Sequence, residues 1–140
     1  MPRFVLLYHD CPATYPRSSH WDLMLEEGNA LRTWALPTLP RQWRRAYEQT
    51  AGAYPNAPAI AEADEVAAER LGDHRLDYLE FEGDISSNRG RVARVASGSY
   101  HREDNSADCI KFVLSGDLAI SHVELRRSSA NDTQWWLACK

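Results

Sequence analysis

The chain is poor in cysteine and glycine, has no long apolar run, and has no excess of positive charge. Its 140 residues include three cysteines, seven glycines and seven prolines. Cys11, Cys109 and Cys139 are odd in number, widely separated and without a Cys-x-x-Cys pair. That spacing argues against a disulfide framework or a zinc site, and the three read as reduced thiols. The longest apolar runs, such as Phe4 to Tyr8, fall far short of the roughly 20 residues that span a bilayer. The opening Met-Pro-Arg-Phe shows no apolar stretch or small-residue cleavage site of a signal peptide, so a cytoplasmic protein without membrane contact is expected. A net charge of −4 argues against bulk, sequence-independent duplex binding, though not against a small site gripping one phosphate. A Gly-rich phosphate loop, a Gly-x-Ser-x-Gly elbow and a Cys-His nucleophile context are also missing, which disfavours covalent acyl or nucleotidyl chemistry.

What is present suffices for one core. Hydrophobic residues make up 44% and charged residues 26%, with five Trp, six Tyr and three Phe to supply bulk. The length fits a single domain over residues 1–140. Phe4 to His9 is a strand candidate, stopped by Asp10-Cys11-Pro12, and a polar loop runs from Cys11 to Ser19. His20 to Glu26 alternates, with Trp21, Leu23 and Leu25 on one face and His20, Asp22, Met24 and Glu26 on the other. Glu27-Gly28-Asn29 signals a hairpin returning through Ala30 to Leu36. Pro40 to Ala51 reads as a short helix presenting Trp43 and Tyr47, and Pro55 to Pro58 as a loop. Ile60 to Leu71 reads as a helical turn and then a strand. Asp77 to Glu82 reads as a strand and Gly83 to Gly90 as an exposed loop. Four further strands are expected over Arg91 to Ala96, Cys109 to Leu114, Leu118 to Arg126 and Gln134 to Cys139. Ser97-Gly98-Ser99, Ser115-Gly116-Asp117 and Ser128 to Thr133 would connect them. The fold class is mainly β: a small closed or partly closed antiparallel barrel of about six to eight strands with one or two short helices.

The strongest chemical signal is His20-Trp21-Asp22. Residues two apart on a strand project to one face, so the imidazole and the carboxylate converge. His9 shares a face with Val5 and Leu7 and can join them if the two strands are neighbours. Two histidines and a carboxylate form a facial set with bonds of roughly 2.0–2.2 Å, suited to Mn²⁺, Zn²⁺ or Fe²⁺. The other reading is a pair of hydrogen-bonded histidines with no ion. A second cluster, Asp73 to Tyr78, puts His74 and Tyr78 at the same strand parity. It reads either as a phosphate-contacting pair with His74 as the acid or as a charged edge strand. His101, in a polar connector, and His122, in a strand, have no companions. Arg41, Arg44 and Arg45, then Arg89, Arg91 and Arg94, then Arg126 and Arg127 form small basic groups. Trp43 beside two of these arginines could stack a base, or could belong to a solvated helix face.

Taken in order, Phe4-Val-Leu-Leu-Tyr-His-Asp, His20-Trp-Asp-Leu-Met-Leu-Glu and Leu31-Arg-Thr-Trp-Ala-Leu-Pro37 open a longer pattern. Asp73-His74 to Tyr78, Phe81-Glu82-Gly83, Gly98-Ser99-Tyr100, Ile110 to Gly116 and Trp136 to Lys140 complete it. The chain resembles the 3′-phosphoesterase domain of bacterial DNA ligase D along nearly its whole length, as a stand-alone version. The resemblance implies a compact β-barrel and a Mn²⁺-dependent phosphoesterase that trims 3′-phosphates and terminal ribonucleotides from DNA or RNA ends. It implies metal ligation by His9, His20 and Asp22 and action on the scissile phosphate by His74 and Tyr78. The partners implied are nucleic-acid 3′ ends, single-stranded or primer-template, together with ligase or polymerase repair proteins. Zn²⁺ or another divalent transition metal is the alternative ion. The chain departs from the family pattern at several points. Ten residues, not five, separate His9 from His20. Met24 stands where the family has an arginine, Thr38 replaces a lysine, Gly72 replaces an acidic residue, and the basic arm before the first strand is absent. Arg17, in the enlarged loop, is the expected substitute phosphate contact. The alternative function is a catalytically weakened module that binds a nucleic-acid end, a nucleotide or a repair partner.

Overall fold

The computed structural model describes residues 1–48, 57–129 and 131–140. Eight antiparallel strands close a barrel: β1 (Arg3–Asp10), β2 (His20–Glu27), β3 (Ala30–Leu36), β4 (Glu65–Arg75), β6 (Arg91–Asn105), β7 (Cys109–Gly116), β8 (Ser121–Arg127) and β9 (Gln134–Cys139). Their order around the barrel is β1-β2-β3-β4-β9-β8-β7-β6, and the pairing of β6 with β1 closes it. A two-residue strand, β5 (Gly83–Asp84), adds to β6 at residues 91 and 92. A 3-10 turn, Arg41–Trp43, leads into the short helix α1 (Arg44–Glu48).

The alternation of β2 decides which way the sheet faces. Trp21, Leu23 and Leu25 point inward and join Phe4, Leu6, Tyr8, Trp34 and Phe112 in the main core. Each such side chain, fully buried, contributes about 1.5–3 kcal/mol. Trp43 is buried in the same core, and its indole N–H donates to Ser121 Oγ at 3.1 Å. The outer face of β1 and β2 is buried too. Val5, Leu7, Met24, Leu31 and Val92 pack there beneath Leu79, with Leu76, Tyr78 and Ile85 against them. That explains why β1 reads as an unbroken apolar run: both of its faces are covered.

Several sequence expectations are corrected. Asp77–Glu82 is not a strand: Leu76–Leu79 is a 3-10 turn, and only Gly83–Asp84 is extended. The three-residue spacing of Leu76 and Leu79 places both on the outer cluster, which alternation would not do. The helical turn before β4 is absent. Residues 62–64 form a bend, and Val66 and Ala68 alternate inward from a segment whose alanines and glutamates favour helix. Ser97-Gly98-Ser99 is no connector but the middle of β6, where the strand passes from pairing with β1 to pairing with β7. Gly98 is there for close approach, because a Cβ would lie 2.0 Å from the Ser115 carbonyl oxygen. His101 accordingly sits in β6, and Ser115 and Gly116 end β7. The expected helix extends only to Glu48 among the described residues; Gln49 to Ala51 and the Pro55-Asn56 part of the expected loop lie outside them.

Candidate active site on the outer face of the barrel

Strand register brings the polar residues together. His9 pairs directly with His20, and Leu7 with Asp22, so both imidazoles and the carboxylate share the outer face of one hairpin. All three are nearly inaccessible, at 6%, 5% and 3% exposure. Two carbonyls fix the ring tautomers. His9 Nε2–H donates to the Arg89 carbonyl at 2.7 Å, and His20 Nδ1–H donates to the Ser18 carbonyl at 2.7 Å. The remaining lone pairs, on His9 Nδ1 and His20 Nε2, lie 3.9 and 3.1 Å from the two oxygens of Asp22.

Asp22 Oδ1 is buried and lacks a hydrogen-bond partner of acceptable geometry. Leaving a carboxylate oxygen dry and unpaired opposite an imidazole lone pair costs several kcal/mol unless a proton or a cation lies between them. The donor set therefore fits a divalent cation held by His9, His20 and Asp22. The two histidines are tuned in opposite directions. Burial pushes His9 below its usual value, against the pull of the Arg89 carbonyl and Asp22. Burial also opposes charging of His20, but the Asp22 carboxylate and the Ser18 carbonyl outweigh it, so His20 is raised.

A cavity of about 90 Å³ opens beside this cluster, lined by His9, Tyr15, Asp22, Met24, His74, Tyr78, Ile85, Arg89 and Val92. His74 comes from β4, where it pairs with Leu31, and Tyr78 from the following 3-10 turn. Their rings lie 5.6 Å apart, brought together by the turn and not by the strand parity expected from the sequence. His74 Nδ1–H donates to the Gly72 carbonyl at 3.0 Å, which leaves Nε2 for a ligand. Met24 occupies the cavity wall at 1% exposure. Arg17 is not brought there: it pairs with Glu69 at 2.6 Å and lines a separate cavity of about 280 Å³ that His20 also borders.

A family model for the DNA Ligase D 3'-phosphoesterase domain matches residues 9–127. The chain belongs to that family. A search of curated proteins finds no match. The matched segment of this phosphoesterase-family chain contains the whole cluster and every residue lining the cavity.

Three contributors escaped the sequence reading. Arg89 was visible only as one of a basic group, yet it lines the cavity and its carbonyl orients His9, while its guanidinium donates to the Ser86 carbonyl and hydroxyl. The glycine after it gave a signal. A Cβ on Gly90, at φ +94°, would meet the Asp10 carbonyl oxygen at 2.1 Å, so the Arg89 loop is pressed against the end of β1. Tyr15 stacks edge-on against His9, with ring centroids 5.3 Å apart. Cys11, taken for a bystander, belongs to a His9–Cys11–His20 group whose potential ligand atoms all lie within 4.8 Å of one another. It is a free thiol, as expected, and burial and the nearby carboxylates of Asp22 and Asp10 push its pKa up to about 11.

Proposed function

We propose that the protein is a metal-dependent 3′-phosphoesterase acting on 3′-phosphate or 3′-ribonucleotide ends of DNA or RNA, with Mn²⁺ as its ion. The observation that carries this reading is the buried, unpartnered Asp22 Oδ1 facing the His20 Nε2 lone pair, with His9 Nδ1 facing the other carboxylate oxygen, beside a small polar cavity that His9 and Asp22 line. His9, His20 and Asp22 hold the cation. Once bound, the ion supplies positive charge beside the phosphate oxygens and lowers the pKa of water. His74 is the acid: with Nδ1 tied to the Gly72 carbonyl, Nε2 delivers a proton to the departing 3′-oxygen. The Tyr78 phenol, whose ring lies 5.6 Å from that of His74 in the wall of the same cavity, donates to a non-bridging oxygen. Positive charge from the protein comes from Arg89 at the cavity wall. Arg17 serves as a phosphate contact only if it exchanges Glu69 for substrate. Nucleic-acid 3′ ends are the partners, alongside ligase or polymerase repair proteins.

The test is phosphate release from a DNA strand ending in 3′-phosphate, with added Mn²⁺. Wild type should turn over. His74→Ala should lose about 10²–10⁴-fold in rate and Arg89→Ala about 10²–10³-fold, with Arg17→Ala near wild type. An inert wild type in the presence of bound Mn²⁺ would reject the enzyme. A second reading is favoured by Met24 in the cavity wall and by the engagement of Arg17 with Glu69: a module that holds a 3′-phosphate end without cleaving it. In that case Met24→Arg should gain the activity wild type lacks.

A further inference from the structure

Cys11 stands on the opposite edge of the His20 ring from Asp22. Its Sγ lies 3.9 Å from His20 Nδ1, while Asp22 Oδ1 lies 3.1 Å from Nε2. In a tetrahedral site with Zn–N of roughly 2.0–2.1 Å and Zn–S of roughly 2.3 Å, nitrogen and sulfur sit about 3.6 Å apart. The observed spacing is within a few tenths of an ångström of that. His9 supplies the third atom of the group. The position of Cys11 is set, since its backbone N–H donates to Ser19 Oγ at 2.9 Å.

We propose that His9, Cys11 and His20 form a second ligand set, specific for thiophilic ions such as Zn²⁺ or Co²⁺, which competes with the His9–His20–Asp22 set for the shared histidines. The proposal rests on the metal-site reading above only through those histidines. The two occupancies are mutually exclusive for a chemical reason. An ion on His20 Nδ1 displaces the proton now donated to the Ser18 carbonyl, and the ring takes the tautomer with its proton on Nε2. That N–H then faces Asp22 Oδ1, supplying the partner this buried oxygen lacks. Asp22 thereby moves from ligand to orienting carboxylate, the outer-shell arrangement that steadies zinc-bound imidazoles. Ser18 is exposed, so its freed carbonyl can take a hydrogen bond from water. Binding forms the metal–sulfur bond with loss of the Cys11 thiol proton to solvent. Carboxylate and imidazole suit Mn²⁺, whereas thiolate selects the softer ions, so the two sets divide along ion type.

The experiment titrates the metal-free protein with Co²⁺, Zn²⁺ and Mn²⁺, using wild type, Cys11→Ser and Asp22→Asn. Wild type with Co²⁺ should show a near-ultraviolet thiolate-to-cobalt charge-transfer band, absent from Cys11→Ser. The Cys11→Ser change should weaken Zn²⁺ binding by about tenfold or more while leaving Mn²⁺ binding unchanged. Asp22→Asn should lose Mn²⁺ binding yet keep the cobalt band. In wild type, added Zn²⁺ should release bound Mn²⁺, read as the returning free-ion electron paramagnetic resonance signal. Cobalt binding without the band, or Zn²⁺ affinity indifferent to Cys11→Ser, would overturn the proposal, as would simultaneous binding of Zn²⁺ and Mn²⁺. The wild-type cobalt spectrum needs no variant to fold. A cobalt–thiolate band in a protein that never binds Mn²⁺ would support this set and reject the Mn²⁺ reading of the function. Mn²⁺ binding without the band would do the reverse.

Discussion

The two faces of the β1–β2 hairpin are buried to the same degree and for opposite ends. Inward, Phe4, Leu6, Tyr8, Trp21, Leu23 and Leu25 join the main apolar core, and their polar side-chain atoms are confined to the Tyr8 hydroxyl, hydrogen-bonded to Ser19, and the Trp21 indole N–H. Outward, the first half of the hairpin repeats that pattern with Val5, Leu7 and Met24, but its far end carries His9, His20 and Asp22, equally hidden, with Asp22 Oδ1 unpaired. Burial of apolar groups stabilises the fold, whereas burial of these polar groups costs stability that a bound cation can return. The inner face is therefore the scaffold and the outer face the place where function would be expressed.

The contrast can be broken first from the inside. Trp21→Ala should destabilise the protein by about 3–5 kcal/mol in chemical denaturation, since the barrel cannot collapse around so large a void. Asp22→Asn, on the other face of the same strand, should leave metal-free stability nearly unchanged or raise it, while Mn²⁺ binding measured by calorimetry disappears. A loss of several kcal/mol from Asp22→Asn in the absence of metal would show that the outer face is also scaffold.

Next in size is the loop that closes the site. Gly90→Ala combines a left-handed backbone with a clash against the Asp10 carbonyl and should cost about 1–3 kcal/mol. Because the Arg89 carbonyl then shifts from His9, metal affinity should fall with it. Loss of stability with unchanged affinity would mean that Arg89 does not orient the ring.

Smallest, and sharpest, is the opposed tuning of the histidines. The folded-state pKa of His20 is raised above 6.5, so its contribution to metal-free stability is complete below about pH 6.5 and is lost as pH rises through the raised value. The folded-state pKa of His9 is lowered, so its contribution is present above about pH 6.5 and is lost as pH falls through the lowered value. Imidazole NMR titration should give midpoints on either side of 6.5, and Asp22→Asn should bring the His20 midpoint down. Since a proton on His20 Nε2 blocks ligation, Mn²⁺ affinity should begin to fall while the pH is still above 6.5.

The sequence made the scaffold and part of the site legible for specific reasons. Alternation in His20 to Glu26 announced both the strand and the sharing of a face by His20 and Asp22, and the register of one hairpin was enough to add His9. His74 and Tyr78 were expected to share one face, and both line the cavity, but their geometry was not legible because a four-residue 3-10 turn inside a charged, strand-like segment leaves no periodicity to read. Gly98 was misread because glycine marks turns and close backbone approaches alike, and only the neighbouring strand tells them apart. Arg89 and Cys11 were missed because loop closure brings each to the cluster, which local pattern does not encode. The enlarged loop suggested Arg17 as a phosphate contact, but an acidic partner on β4 holds it toward another cavity.

The most direct measurement is the anomalous scattering of a crystal of the protein soaked in Mn²⁺. One peak within ligand distance of His9 Nδ1, His20 Nε2 and Asp22 Oδ1, beside the cavity lined by His74 and Tyr78, is the result the account predicts. A crystal without manganese at that point, with His20 Nε2 carrying a proton bonded to Asp22, would contradict it.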